Sequence, residues 1–116
     1  ILELLIAHGE SAPEPLSLYS ANVNDDFQYL RIEPRNTFNA PARGATVLLK
    51  TNLRTHAKTI DAGSGYLCQM EPIAHFGIRE NEEIRYVQIK WTDGQQSTYK
   101  IEKLNQQYIF SQGKTK

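Results

Sequence analysis

The chain has 116 residues, and its thirteen Lys and Arg residues are balanced by thirteen Asp and Glu residues, so the formal net charge is zero. That length suits one domain whose core is large enough to fold without a metal ion or a disulfide. The neutral balance gives no general attraction for nucleic acid or an anionic membrane, and no apolar run is long enough to span a bilayer.

The first two thirds of the chain alternate short apolar stretches with turn-forming residues. Apolar runs and alternating side chains predict strands over residues 1–7, 16–20, 28–33, 46–51, 56–62 and 72–76. Pro34 is predicted to end the third strand, because it cannot donate to the hydrogen-bond ladder. The fourth and fifth strands are predicted to pair as a hairpin, and residues 78–83 are predicted to form an acidic, solvated loop.

The last third of the chain predicts a hairpin with a defined register. A two-residue loop would place Val87 opposite Lys100, which sets an apolar side chain against a polar one. A three-residue loop, residues 92–94, places Val87 opposite Tyr99 instead. The sequence therefore predicts a type I turn followed by a bulge, with Gly94 in the left-handed conformation.

The spacing of these strands predicts an all-β fold, either an antiparallel β-sandwich or an open barrel of short strands. Residues 107–110 are predicted to add an edge strand, and residues 111–116 to form a flexible tail. The sequence contains no convincing amphipathic helix and no internal repeat.

Catalysis has two candidate nucleophiles, Ser64 and Cys68, each with His75 as a candidate base. The nucleophile elbow requires Gly-x-Ser-x-Gly, whereas the outer positions around Ser64 are Ala62 and Tyr66, and no helix follows. Cys68 lies in an apolar context, which favours either an inert buried thiol or one half of a disulfide to a segment outside this chain. The residues therefore favour a protein that is not an enzyme.

Other ligand sites are only weakly indicated. The three histidines lack the spacing of metal ligands, and the acidic clusters at 24–26 and 80–83 lack the pattern of a calcium loop, so no metal or cofactor is expected. Basic residues between Arg31 and Lys58 suit an anionic protein or a glycan as well as single-stranded nucleic acid, which the neutral charge disfavours. The alternative function is a carbohydrate-binding or accessory β module. Its sign would be one open row of aromatic side chains, formed by Tyr19, Tyr29, Tyr86 and Trp91.

Several spaced motifs resemble the ASPIC/UnbV domain. They are Ala42-Arg43-Gly44-Ala45, Gly63-Ser64-Gly65-Tyr66-Leu67-Cys68, Met70-Glu71-Pro72, Ala74-His75-Phe76-Gly77 and Trp91-x-x-Gly94. The match to the cartilage acidic protein branch of that family is close. Upstream, segments 7–11 and 15–17 resemble the end of an FG-GAP-type β-propeller, so the likeness covers nearly the whole chain.

This resemblance implies a division of the chain, a role and a location. Residues 1–20 would end a β-propeller blade, residues 21–110 would form the ASPIC/UnbV β domain, and residues 111–116 would be a flexible tail. Family members act in extracellular matrix and neural development, which implies a secreted, extracellular, non-catalytic protein-interaction module. The implied partner is an extracellular or cell-surface protein such as a Nogo-type receptor, without nucleic acid, membrane insertion or a cofactor.

The resemblance also implies which residues define the domain. The expected structural signature consists of Arg43, Gly44, Gly63, Gly65, Tyr66, His75, Phe76, Gly77, Trp91 and Gly94. Cys68 is a candidate for a disulfide to a missing segment, whose cysteine cannot be named from this chain.

Overall fold

The computed structural model describes residues 3–6, 15–20, 28–61, 63 and 69–113, and this part of the chain is all β, as predicted. The strands are β1 (Leu4–Ile6), β2 (Ser17–Tyr19), β3 (Gln28–Arg35), β4 (Thr46–Thr51), β5 (Thr55–Thr59), β6 (Ala74–Ile78), β7 (Ile84–Lys90), β8 (Gln96–Tyr99) and β9 (Gln106–Ser111). Within the described residues, no helix is long and apolar enough to cross a membrane.

The strands form three sheets, with the orders β1-β2, β6-β3-β9 and β5-β4-β7-β8. The two larger sheets share one core, to which both contribute alternate, fully buried side chains. These side chains include Leu30, Ile32, Phe76, Val47, Leu49, Val87 and Ile89. At one edge β5 lies next to β6, and at the other the rings of Tyr99 and Phe110 stack with centroids 3.9 Å apart. The architecture is therefore a β-sandwich with no closed barrel.

One strand pair departs from the antiparallel arrangement. β9 lies parallel to β3, with Leu30 beside Gln106 and Arg35 beside Ser111, whereas β6 pairs with β3 in the antiparallel direction. The three-stranded sheet is therefore mixed, and its central strand receives neighbours from two distant parts of the chain. A parallel pair needs a long crossover connection, and here residues 36–105 supply it.

The hairpin between β7 and β8 has the predicted three-residue loop. Val87 lies opposite Tyr99, and Ile89 lies opposite Ser97. Gly94 has a φ of 93°, and its N–H donates to the carbonyl oxygen of Trp91 at 3.1 Å. This register turns Val87 and Ile89 into the core, where both are fully buried. The predicted hairpin of β4 and β5 is also present, with Leu48 opposite Ala57.

The prediction that β3 ends at Pro34 is wrong. The strand continues to Arg35, and Pro34 is fully buried. Pairing between β3 and β6 stops at Ile32, so Pro34 lies beyond the end of β6, and its carbonyl oxygen accepts a hydrogen bond from the Ala42 N–H at 3.0 Å. Because the N–H and C=O of one strand residue point to the same side, the missing N–H of Pro34 costs no bond to β6.

The boundaries of β6 and β9 also differ from those predicted. β6 runs from Ala74 to Ile78, and Ile78 is fully buried, so it does not belong to the following loop. Ser111 is the last residue of β9, and the N–H of Gln112 donates to the Arg35 carbonyl oxygen at 2.8 Å. Residues 114–116 of the predicted tail lie outside the described residues.

Asn105 connects β9 to the start of β3. It has a φ of 58°, in the left-handed region that asparagine tolerates better than most residues. Its N–H donates to the carbonyl oxygen of Tyr29 at 2.8 Å, and its side-chain Oδ1 accepts from the Tyr29 N–H at 3.0 Å. Asn105 thus provides a hydrogen-bond partner for both the N–H and the carbonyl oxygen of Tyr29.

Three substitutions of Asn105 are expected to separate the effect of its side-chain hydrogen bond from the effect of its positive φ. Asn105→Asp keeps the acceptor oxygen and the tolerance for positive φ, so its free energy of unfolding should stay within about 0.5 kcal/mol of the parent. Asn105→Gly loses only the side-chain bond, at about 1 kcal/mol. Asn105→Ala adds backbone strain and should lose about 2 kcal/mol. Urea unfolding of the three variants measures the order, and an alanine variant as stable as the aspartate variant would contradict it.

Candidate functional site

The outward surface of the three-stranded sheet carries a connected group of side chains, which we call the β3 face. Because Leu30 and Ile32 point into the core, Tyr29 and Arg31 point outward. His75 on β6 and Gln107 on β9 flank Arg31 on either side. The β3 face consists of Tyr29, Arg31, Glu71, His75 and Gln107, and the exposed Ile109 of β9 lies on the same side of the sheet.

Arg31 is the centre of the β3 face. Its Nη2 donates to both carboxylate oxygens of Glu71 at 2.8 Å, and its Nε donates to Oε1 of Gln107 at 3.4 Å. Its Nη1 lies 3.3 Å from Nδ1 of His75. A surface ion pair of this kind contributes only about 0–1 kcal/mol to stability. The network's main effect is therefore to fix the direction of the guanidinium group.

Tyr29 and His75 form an aromatic platform beside Arg31. Their rings lie nearly parallel, with an interplanar angle of 6° and centroids 5.8 Å apart. Gly77 lies opposite Tyr29, and a Cβ on it would meet nothing within 4 Å, so the space beside the platform is open. Burial lowers the pKa of His75, and the nearby Arg31 lowers it further, so the neutral ring is favoured. The His75 side chain, which lies between the apolar residues Ala74 and Phe76 in sequence, is half-buried.

A second polar cluster, which we call the Glu82 cluster, joins the β4–β5 turn to the loop after β6. The Glu82 side chain is 0% exposed, and its Oε2 lies 2.7 Å from Thr51 Oγ1, 3.1 Å from Arg54 Nε and 3.1 Å from His56 Nε2. Its Oε1 accepts from the Arg79 N–H at 3.1 Å. Burial alone would raise the pKa of Glu82, but these hydrogen bonds hold it far below its usual value.

The prediction of an acidic, solvated loop over residues 78–83 is wrong at Glu82, which is buried. The residue is buried because its partners come from the hairpin turn, where Arg54 and His56 are 28 and 26 residues away in sequence. No spacing rule connects residues so far apart. The only local signal is that an acidic run and a turn with two basic residues are both present. Sequence reasoning missed this cluster.

Four residues of the expected signature hold the chain in position. Arg43 Nη1 donates to the carbonyl oxygens of Asp61 and Met70, which lie on either side of the glycine-rich stretch. Phe76 and Trp91 are buried in the core. Gly44 has a φ of 93°, and its N–H donates to the Ile60 carbonyl oxygen at 2.8 Å. These positions serve the packing of the domain and form no chemical site.

The remaining signature residues are spread over the fold. His75 and Gly77 lie on β6, Gly94 lies in the β7–β8 turn and Gly63 is exposed. The other residues of the glycine-rich stretch, Ser64, Gly65, Tyr66 and Cys68, lie outside the described residues. The two candidate nucleophiles and the candidate disulfide therefore have no described position.

The aromatic row that would favour a carbohydrate site is not formed. Trp91 is 4% exposed and packs in the core cluster with Val87 and Ile89, while its Nε1 donates to Ser97 Oγ at 2.9 Å. Tyr19 lies on β2, in a different sheet from Tyr29 on β3. The carbohydrate alternative therefore loses its main support.

The chain is similar to known proteins over most of its length. The sequence model of the family described as ASPIC and UnbV matches residues 35–116. Cartilage acidic protein 1 of Homo sapiens and of Mus musculus are each 46% identical to the chain over 95 residues, or 81% of the chain. The Xenopus tropicalis protein of the same name is 44% identical over the same share. The aligned region is 14% of the human and frog proteins and 15% of the mouse protein, so the chain spans about one seventh of these curated relatives.

Proposed function

Since the chain belongs to the ASPIC and UnbV family, we propose that it is a non-catalytic, extracellular protein-interaction module of a secreted protein like cartilage acidic protein. The relatives' names denote no enzyme. The observation that carries the proposal is the β3 face, where an arginine with a fixed direction lies beside a stacked, partly exposed tyrosine. Tyr and Arg are enriched among the residues that contribute most to protein–protein binding, and holding them in place lowers the entropy lost on binding.

The division of the chain belongs to the same proposal. We place residues 1–20 at the end of an FG-GAP-type propeller blade and residues 21–110 in the ASPIC/UnbV domain. In support, the β1–β2 ribbon has Leu4 opposite Tyr19 and Leu5 opposite Leu18, and all four side chains are more than half exposed. A two-stranded ribbon with this much apolar surface is not stable alone, so it fits a larger sheet better.

The proposed partner is an extracellular or cell-surface protein, and a Nogo-type receptor is the first to test. We expect the full-length secreted protein to bind the purified receptor ectodomain, and Arg31→Ala and Tyr29→Ala to weaken the affinity at least about tenfold. Surface plasmon resonance measures the effect. Tyr86→Ala and Lys90→Ala serve as matched controls, because both residues point outward from the other sheet.

Two results would count against this proposal. Wild-type protein that binds neither the receptor nor any protein in a cell-surface extract would remove the interaction role. If the control variants lose as much affinity as Arg31→Ala and Tyr29→Ala, the β3 face is not the binding surface. Melting temperatures of all four variants separate loss of binding from loss of folding.

A further inference from the structure

The loop after β3 presents an aromatic side chain at its apex. Arg35 and Pro41 form a β-bridge that closes the loop of residues 36–40, and Phe38 lies in its middle. The Phe38 side chain is 86% exposed, more than any other large hydrophobic side chain in the described ranges. Single exposed apolar residues are ordinary on protein surfaces, so exposure by itself carries no function.

What distinguishes Phe38 is that the loop beneath it is held rigidly without any contribution from its own ring. The Asn36 side chain accepts hydrogen bonds from the N–H groups of Phe38 and Ala40, at 2.9 and 3.1 Å. The Asn36 N–H donates to the Ala40 carbonyl oxygen at 2.8 Å, and Asn39 has a φ of 63°. The loop thus holds Asn39 in the left-handed conformation, which asparagine tolerates, and leaves the Phe38 ring in water.

The charges around the loop favour a protein over a lipid or nucleic acid as the partner. Residues 36–42 contain no charged side chain. The two arginines that flank this segment are both engaged: Arg35 is paired with Glu33, with 2.6 Å between Nε and Oε2, and Arg43 donates to backbone carbonyl oxygens. Anionic membranes and nucleic acids are bound chiefly through unpaired Lys and Arg. A neutral, fixed aromatic tip instead fits an apolar pocket with an uncharged polar rim.

We propose that Phe38 is an anchor residue that inserts into an apolar pocket of the module's protein partner. This inference rests on the proposed function and adds a contact beyond the far end of β3 from Tyr29, since the six residue steps from Tyr29 to Arg35 span roughly 20 Å. Buried aromatic anchors are typical of residues that dominate binding energy, and a preorganised loop loses little entropy on docking.

The test uses the full-length secreted protein with Phe38→Ser, and Thr37→Ser as the matched control in the same loop. We expect Phe38→Ser to weaken binding to the receptor ectodomain at least about tenfold and Thr37→Ser to leave the affinity unchanged. Because the Phe38 ring is almost fully exposed, the melting temperature should not change. Phe38→Tyr, which keeps the ring, should retain most of the affinity.

Other outcomes overturn the inference and identify the reason. If Phe38→Ser binds like the wild type while Arg31→Ala does not, the inference fails and the proposed function stands. A Phe38-dependent association with vesicles of phosphatidylcholine and phosphatidylserine, without protein binding, would indicate a lipid partner. A Phe38-dependent dimer in analytical ultracentrifugation would indicate a second copy of this chain. Wild-type protein that binds no protein contradicts both proposals.

Discussion

Glu82→Ala is expected to lower the free energy of unfolding by about 3 kcal/mol. The substitution removes a fully buried carboxylate and leaves His56 and the Arg79 N–H without this acceptor, while the Thr51 hydroxyl can still donate to the Arg54 carbonyl oxygen. Arg54 is 40% exposed and can regain water, which keeps the loss at the lower end of the range for broken buried pairs. Urea unfolding at neutral pH measures the change.

Glu83→Ala is the matched control for this variant. Glu83 is the next residue in sequence and is exposed, and its hydrogen bonds to Asn52 are made by its backbone. Its replacement should change stability by less than about 0.5 kcal/mol. Equal losses for the two variants would show that the cluster has no particular importance for the fold.

The stabilisation by Glu82 should also depend on pH. Its pKa is lower in the folded state than in the unfolded chain, where a glutamate has a pKa of about 4.3. The contribution is therefore complete above about pH 4.5 and decreases as the pH falls below that value. Glu82→Gln cannot titrate, so the difference in free energy of unfolding between it and the wild type should be constant above about pH 4.5 and shrink as the pH falls toward about 3. A constant difference over that interval would rule out this carboxylate as the cause.

Gly44→Val should have an effect of similar size, about 3 kcal/mol, through the backbone and through contact with a neighbour. A valine at a φ of 93° is strained, because its branched side chain does not fit the left-handed region. In addition, a Cβ there would lie 3.0 Å from Cγ2 of Thr92 in the β7–β8 turn. Chemical denaturation of the variant measures the sum of both costs.

Gly77→Val provides the comparison, because it makes the same chemical change in an ordinary strand conformation with nothing within 4 Å of the new Cβ. Since valine favours strands, this variant should be as stable as the parent or slightly more so. Thr92→Ser removes the methyl group that Gly44 approaches. In combination with Gly44→Ala, it should therefore restore the stability that is lost through the contact with Thr92. It should not restore the stability that is lost through the strained φ at residue 44.

The elements that sequence predicted well are those that depend on near neighbours. The alternation of inward and outward side chains determined the length of the β7–β8 loop, because Val87 and Tyr99 must both face inward across a short turn. By contrast, the parallel pair of β3 and β9 joins residues such as Leu30 and Gln106, which are 76 positions apart. Alternation shows which face of a strand is buried and says nothing about which distant strand lies beside it.

The candidate surfaces likewise combine features that depend on near neighbours in sequence with features that depend on how distant strands pair. That His75 is half-buried could be predicted from its apolar neighbours, but its contacts with Arg31 and Tyr29 depend on how β3 and β6 pair. The burial of Glu82 could not be predicted, since only the fold brings a hairpin turn over an acidic loop. The exposure of Phe38 could not be predicted either, since it depends on the hydrogen bonds by which Asn36 holds the loop.

The position of β9 has a consequence for how this chain is made. The ribosome synthesises β3 before β9, so the edge of β3 that pairs with β9 stays unpaired while the crossover segment is produced. An unpaired edge of this kind can join other nascent chains. The domain completes this sheet only after residue 111 has left the ribosome, so the edge of β3 stays open until the last strand of the sheet is made. Chaperones that act on this chain would be needed most during that interval.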